Sequence, residues 1–223
     1  MTRALLDNRL RQLVDEVLML GSMVEQSAVD SVDALRHRDI AWARKIEARD
    51  QLINTHRFDI ERECLGLIAT QQPMAHDLRI LAAVLEVITD IERMGDYIKG
   101  IAHIIPQLSP EPFPPDLPDR LKAMTVKGNS MLRRALSAFA AGDERTARAL
   151  PSEDDEVDGL YSQVYHELVE GMTAHPEEVD HYTRLFWVAH NLERFADRVS
   201  NICERTIFTV TGEIMEFSSS GGD

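Results

Sequence analysis

The chain is poor in cysteine, glycine and proline, and it has no long apolar run. Each scarcity removes a class of protein. Its two cysteines, Cys64 and Cys203, lie far apart, with no Cys-x-x-Cys pair and no histidine at zinc-finger spacing. That excludes structural zinc of the finger type and a disulfide scaffold, and it fits a reducing compartment. Glycines number 11 and prolines nine, and neither alternating β-branched segments nor Asn-Gly hairpin turns occur. No Gly-rich phosphate loop, GxSxG elbow or supported Cys-His pair is present. The longest apolar stretch, Ile80 to Ile91, is interrupted by Glu86 and Asp90, well short of the about 20 residues of a membrane span. The N-terminus is charged throughout, unlike a signal peptide, so a soluble, cytoplasmic protein without a membrane span is expected. Positive charge is also scarce. Lys and Arg total 24 against 38 Asp and Glu, for a net charge of −14 and a pI near 5.0. Phosphate backbones and anionic lipids need cations to bind, so no nucleic-acid partner is expected. Cations and basic protein patches are the natural counterparts.

What the chain does contain is helix. Hydrophobic residues make up 44% and charged residues 28% of 223 residues, enough for one large or two small domains with buried cores. Apolar residues recur every three to four positions, as in the stripe Leu10, Leu13, Val17, Leu20, Val24, Ala28 and Val32. Further helices are expected at Asp39–Gln72, Pro73–Ile105, Asp119–Ala141, Asp143–Thr173 and Pro176–Val210, with Pro73 and Pro176 at favoured first positions. Six prolines cluster between Ile105 and Asp119, where no helix can continue. The expected organisation is all-α, two repeated antiparallel three-helix bundles. A first repeat covers 1–105, a Pro-rich linker 106–118, a second repeat 119–210 and a flexible, frayed tail 211–223.

The halves share more than a helix count. Glu92-Arg93-Met94-Gly95-Asp96 matches Glu193-Arg194-Phe195-Ala196-Asp197, 101 residues on, and Asp50 and Asn54 match Asp154 and Asp158, 104 residues on. Acids four apart are commonplace in so acidic a chain; position raises their interest. With a period of about 3.6 residues, Glu92 and Asp96 extend the face of Leu81, Leu85 and Ile88. Glu193 and Asp197 extend that of Tyr182, Phe186 and Ala189. An apolar stripe turns acidic part-way along, and like charges on one partly desolvated face require cations. Asp50/Asn54 and Asp154/Asp158, on the preceding helix, are placed to face these pairs, giving four oxygen-bearing side chains per half: a hard-cation site. Iron, manganese, magnesium or zinc all remain open. Equally, the acids could pair with Arg93, Arg194 or neighbouring cations, or the stripe could twist out to solvent. Gly95 and Ala196 leave room for close approach. His103, on the Glu92/Asp96 face, is either a ligand or a solvated helix-end residue. The methionines, Trp42 and Trp187 read as packing residues.

Around these residues the sequence resembles the PhoU family. The likeness rests on the doubled ERxGD/ERxAD motif, Asp77-Leu78-Arg79 opening the third helix, Gly21-Ser22-Met23-Val24-Glu25 in the first, and Asn201-Ile202-Cys203-Glu204 after the second motif, and it spans about residues 5 to 210. It implies two three-helix bundles whose ExxxD or DxxxD motifs bind multinuclear metal clusters, here through Asp50, Asn54, Glu92, Asp96, Asp154, Asp158, Glu193 and Asp197. It also implies a non-enzymatic negative regulator of phosphate uptake and phosphate-starvation signalling. Its partners would be the ATPase subunit of a phosphate ABC transporter and a sensor histidine kinase, and it would be a homodimer. Three departures stand out. Ala196 replaces a commoner glycine, Asn54 stands where a carboxylate would bind more strongly, and Pro151 should kink or restart the helix before Asp154. Two other classes compete. A carboxylate-bridged di-metal oxidase of ferritin type needs Glu-x-x-His on two helices, and only Glu178–His181 matches. A metal-free helical scaffold is the third reading.

Overall fold

A computed structural model describes residues 3–217, and every regular element among them is helical. Seven α-helices run in order: α1 (Arg3–His37), α2 (Ile40–Gln71), α3 (His76–Ile104), α4 (Leu117–Ala141), α5 (Glu144–Ala149), α6 (Asp154–Ala174) and α7 (Val179–Thr211). Helices α1, α2 and α3 pack on one another, as do α4, α6 and α7; α3 lies along α7, and α1 along α4. The first stripe is the reason. Leu13, Val17, Leu20, Val24 and Ala28 are wholly buried, as are Leu81, Ile88, Phe195 and Val199, so each long helix buries one apolar face against its neighbours.

The repeat extends to the turns. Arg38 takes a positive φ of 52°; its N–H donates to Leu35 O, and that of Asp39 donates to Ala34 O. Gly142, at φ 63°, and Asp143 do the same with Phe139 and Ala138. This is a Schellman ending. Asp39 and Asp143 then cap the next helix, accepting from Trp42 N–H and Thr146 N–H.

Several boundaries differ from expectation. α2 ends at a left-handed Gln72, φ 48°, so residues 73–75 form a turn and α3 starts at His76 rather than Pro73. Pro176 opens a 3₁₀ turn, Pro176–Glu178, ahead of α7. The fifth expected helix is broken: Pro151 lacks an N–H, the chain passes through a 3₁₀ turn at Leu150–Glu153, and α6 restarts at Asp154. The proline-rich segment is tied down. The Arg38 guanidinium donates to Ser109 O and Glu111 O and sits over the Phe113 ring, while His181 hydrogen-bonds Ser109 Oγ at 2.9 Å and stacks on Phe113. A free tail from 211 onward is also corrected. Gly212 turns the chain back at φ 80°, Phe217 N–H donates to Glu204 Oε1 at 2.7 Å, and Met215 and Phe217 pack on the core. The segment SSSGGD, expected to be frayed, lies outside the described residues. Trp42 packs as expected, but Trp187 is half exposed.

Residues of the quoted motifs join the halves. Glu25 accepts from Arg133 at 2.7 Å and its carbonyl from Asn129 at 3.0 Å. Asn201 donates to Asp90 at 2.9 Å, and Arg79 donates to Thr209 O near the end of α7. At Gly95 an added methyl would meet only ordinary contacts with Ile53 and Val24, 3.6 Å away. Alanine at the matching position, Ala196, is thus a conservative change.

Phe195 is the largest fully buried side chain and lies against Gly128 of α4. Phe195→Ala should lower unfolding free energy by about 3–5 kcal/mol, whereas Leu52→Ala, at an exposed position, should stay within about 0.5 kcal/mol. Urea denaturation checks both; equal effects would contradict the assigned core.

Candidate metal centre

The two acidic sets have different surroundings. In the second half, Asp154 and Asp158 come from the first turns of α6, and Asp197 comes from mid-α7. One carboxylate oxygen from each lies within 4.8 Å of the others. The restart at Pro151 matters here, because it puts Asp154, Asp155 and Glu156 in a first helical turn, where the helix dipole favours negative charge. Glu193, one turn before Asp197, completes the expected set at its edge and interacts electrostatically with Asp158 and Asp197.

Burial makes these acids reluctant to ionise. The Asp154 carboxyl is pushed up to about 7, chiefly by burial, then by the charges of Asp197 and Asp158 and a hydrogen bond shared with Asp197. Glu193 is also pushed up to about 7, by burial and then by Asp197, against the opposing pull of Arg194. Asp158 and Asp197 are raised too, each first by burial. Asp154 Oδ1 and Glu193 Oε2 are buried without a hydrogen-bond partner. Such orphaned oxygens fit the needs of a hard cation. Arginine pairing is realised in part: Arg194 Nη1 stands 3.0 Å from Asp197 Oδ2. His190 Nδ1 is 3.6 Å from Glu193 Oε2, with its ring stacked on Phe186 and edged by Trp187. Burial, then Arg194, holds its pKa below the usual histidine value, against the pull of Asp197, and a neutral imidazole can offer a lone pair. The sequence reading did not single out His190, although His-x-x-Glu at 190 and 193 puts both on one face.

The first set is built otherwise. Asp50 is buried on α2, and its Oδ2 accepts from Lys99 Nζ at 2.7 Å and from Asn54 Nδ2 at 3.2 Å. The same ammonium lies 3.9 Å from Asp96. Asp96 and Glu92 are raised, each first by burial; like charges add to this, and Lys99 (for Asp96) and Arg57 (for Glu92) oppose it. Among the described residues Asp50, Glu92 and Asp96 form no triad of ligand atoms within 4.8 Å. His103 pairs with Glu47 at 3.0 Å and is largely solvated, so it is a helix-end residue. His181, the histidine of the lone Glu-x-x-His, is spent on Ser109 and Phe113.

In metal-free protein these shifts fix a pH dependence. Folded Asp154 and Glu193 keep protons up to about pH 7, while the unfolded chain releases them near the ordinary values of 3.8 and 4.5. The native state therefore binds more protons across that window, and the stability present below it is lost as pH rises through about 7. In chelator-treated protein the denaturation midpoint should fall between about pH 5 and pH 7.5. Asp154→Asn should flatten the fall without a loss of stability at the upper end. A rising midpoint, or a clear loss in the variant at pH 7.5, would contradict the assignment.

Comparison with known proteins agrees with this architecture. The chain matches the PhoU domain over residues 17–105 and 121–206, one match in each half. It is 34% identical over 219 residues to a phosphate-specific transport system accessory protein PhoU homolog of Clostridium acetobutylicum, covering 98% of this chain and 100% of that protein. A homolog of the same description from Caulobacter vibrioides is 34% identical over 207 residues, 92% of this chain and 89% of that one. The crystal structure of the phosphate transport system regulatory protein PhoU from Streptococcus pneumoniae superposes with a TM-score of 0.87 at 31% identity, covering 95% of this chain and 100% of the other. PhoU from Pseudomonas aeruginosa gives a TM-score of 0.85 at 30% identity, covering 93% and 99%. With both repeats matched and relatives aligned end to end, the chain belongs to the PhoU family.

Proposed function

We propose that the chain is a non-enzymatic regulator of phosphate homeostasis, restraining a phosphate ABC transporter and two-component phosphate-starvation signalling. The observation that carries this reading is the end-to-end similarity to phosphate-specific transport accessory proteins, through both repeats and with no large insertion that would add another activity. The partners proposed are the transporter's ATPase subunit and a sensor histidine kinase, met by a homodimer in the cytoplasm. Among the described residues no helix is long and apolar enough to cross a membrane, consistent with action beside a membrane transporter rather than as part of it. A net charge of −14 favours basic partner surfaces, whose association slows as salt screens the attraction.

The proposed metal centre is Asp154, Asp158, Glu193 and Asp197, with His190 at its edge. A bound iron, zinc, manganese or magnesium ion would supply the positive charge that lets these carboxylates ionise together. Asp154 and Asp158 from α6, with Asp197 and Glu193 from α7, would then be clamped across one helix contact. The metal-free scaffold is a second reading, favoured by the Arg194–Asp197 ion pair. Elemental analysis of protein purified without chelator separates the two.

Deleting the gene in its own host should switch on phosphate-starvation genes despite abundant phosphate, and the intact gene should restore repression. Transcript measurement checks this. Normal repression in the deletion strain would count decisively against the regulator.

A further inference from the structure

The repeat lets each residue around the first acidic set be compared with its counterpart in the second. Lys99 follows Asp96 by three positions on α3; the residue that follows Asp197 by three on α7 is Ser200. Arg57 follows Asp50 by seven positions on α2; the residue seven after Asp154 on α6 is Tyr161. The first half thus places two full positive charges where the second has two hydroxyls. Both cations act on the acids. Lys99 Nζ sits 2.7 Å from the buried Asp50 Oδ2 and 3.9 Å from Asp96 Oδ1, and Arg57 offsets the charge of Glu92. Three carboxylates therefore face Lys99, Arg57 and Arg93 in the first half. In the second, four carboxylates face Arg194 and Arg198, both acting on Asp197, with His190 at the edge.

We infer that Lys99 is the resident cation of the first half, its ammonium bridging Asp50 and Asp96, so that the chain carries one metal centre and not two. This rests on the reading of the second cluster as that centre. An ion approaching Asp50 Oδ2 would meet the ammonium already hydrogen-bonded to it, and two cations held at contact distance around one buried carboxylate repel each other. Asn54 reinforces the exclusion: its Nδ2 donates to the same oxygen, and an amide brings no charge to replace the one lost. An oxygen without a hydrogen-bond partner occurs in both halves, Asp50 Oδ1 and Asp154 Oδ1, but among the described residues only Asp50 holds an ammonium on its other oxygen; in the second half Lys127 pairs instead with Glu153 and Glu156.

The test uses full-length protein stripped with chelator, Mn²⁺ as the probe, and two readouts: Mn²⁺ bound per chain at equilibrium dialysis, and the thermal midpoint with and without Mn²⁺. Wild-type uptake should be abolished by Asp154→Asn and unchanged by Asp96→Asn. Lys99→Met should lower the metal-free midpoint by several degrees; added Mn²⁺ should restore it and raise the Mn²⁺ bound per chain. Lys99→Arg, which keeps the charge, should do neither. Lys99→Gln is read in the same way should Lys99→Met not fold. Wild-type uptake that falls with Asp96→Asn overturns the inference. So does a Lys99 variant that gains no Mn²⁺ and no Mn²⁺-dependent recovery. Wild-type protein that binds no Mn²⁺ at all counts against the second cluster, and the role of Lys99 is then decided by the midpoint and Mn²⁺ uptake of Lys99→Met alone.

Discussion

A carboxylate held between packed helices must find positive charge, and this requirement shapes the chain more than any other. The helices bury aliphatic stripes that alone would form an unremarked bundle, but four of those helices carry acids into their contacts. Where half-buried acids crowd together with too little positive charge, they resist ionisation, as Asp154 and Glu193 do up to about 7. Where a cation is built in, it pairs with the acid directly, as Lys99 does with Asp50 at 2.7 Å. The same rule joins the halves: Arg133 answers Glu25 across α1 and α4, and Arg198 with Asn201 answers Asp90 across α3 and α7.

The two halves, related by repetition, have met the requirement in different ways, and backbone differences support the divergence. In the first half Asp50 lies inside an unbroken α2, already ten residues from its start. In the second, Pro151 lies in the 3₁₀ turn Leu150–Glu153 that follows α5, and Asp154 opens α6. A helix start tolerates negative charge, and a first turn also brings Asp154 and Asp158 onto one side facing α7. The proline thus does not spoil the second set; it creates the terminus at which three acids can be gathered.

Much of this was legible in the sequence. Apolar spacing located the long helices because their buried faces are continuous, and the doubled ERxGD/ERxAD motif located both acidic sets. What it missed depends on distances across helices. Arg38 reads as an ordinary surface arginine until its carbonyl partners at Ser109 and Glu111 are seen. The return of residues 212–217 rests on the Gly212 turn, the Phe217–Glu204 hydrogen bond and the packing of Met215 and Phe217 on the core. Trp187 sits at core spacing, yet it is half exposed, its ring set edge-on to Phe186 and His190 of the same helix. The contrast of Lys99 and Arg57 with Ser200 and Tyr161 was available in the repeat itself. It escapes a reading that compares only the acids, because the informative positions are the ones that fail to match.

Neutralisation of the acids by different cations in the two halves, as proposed above, can be seen crystallographically. Anomalous diffraction at the manganese edge, from crystals grown with Mn²⁺, tests it most directly. A peak is expected among Asp154, Asp158 and Asp197, with none between Asp50 and Asp96, where the Lys99 ammonium should remain in place. Peaks of equal height in both halves, with Lys99 swung away, would contradict it.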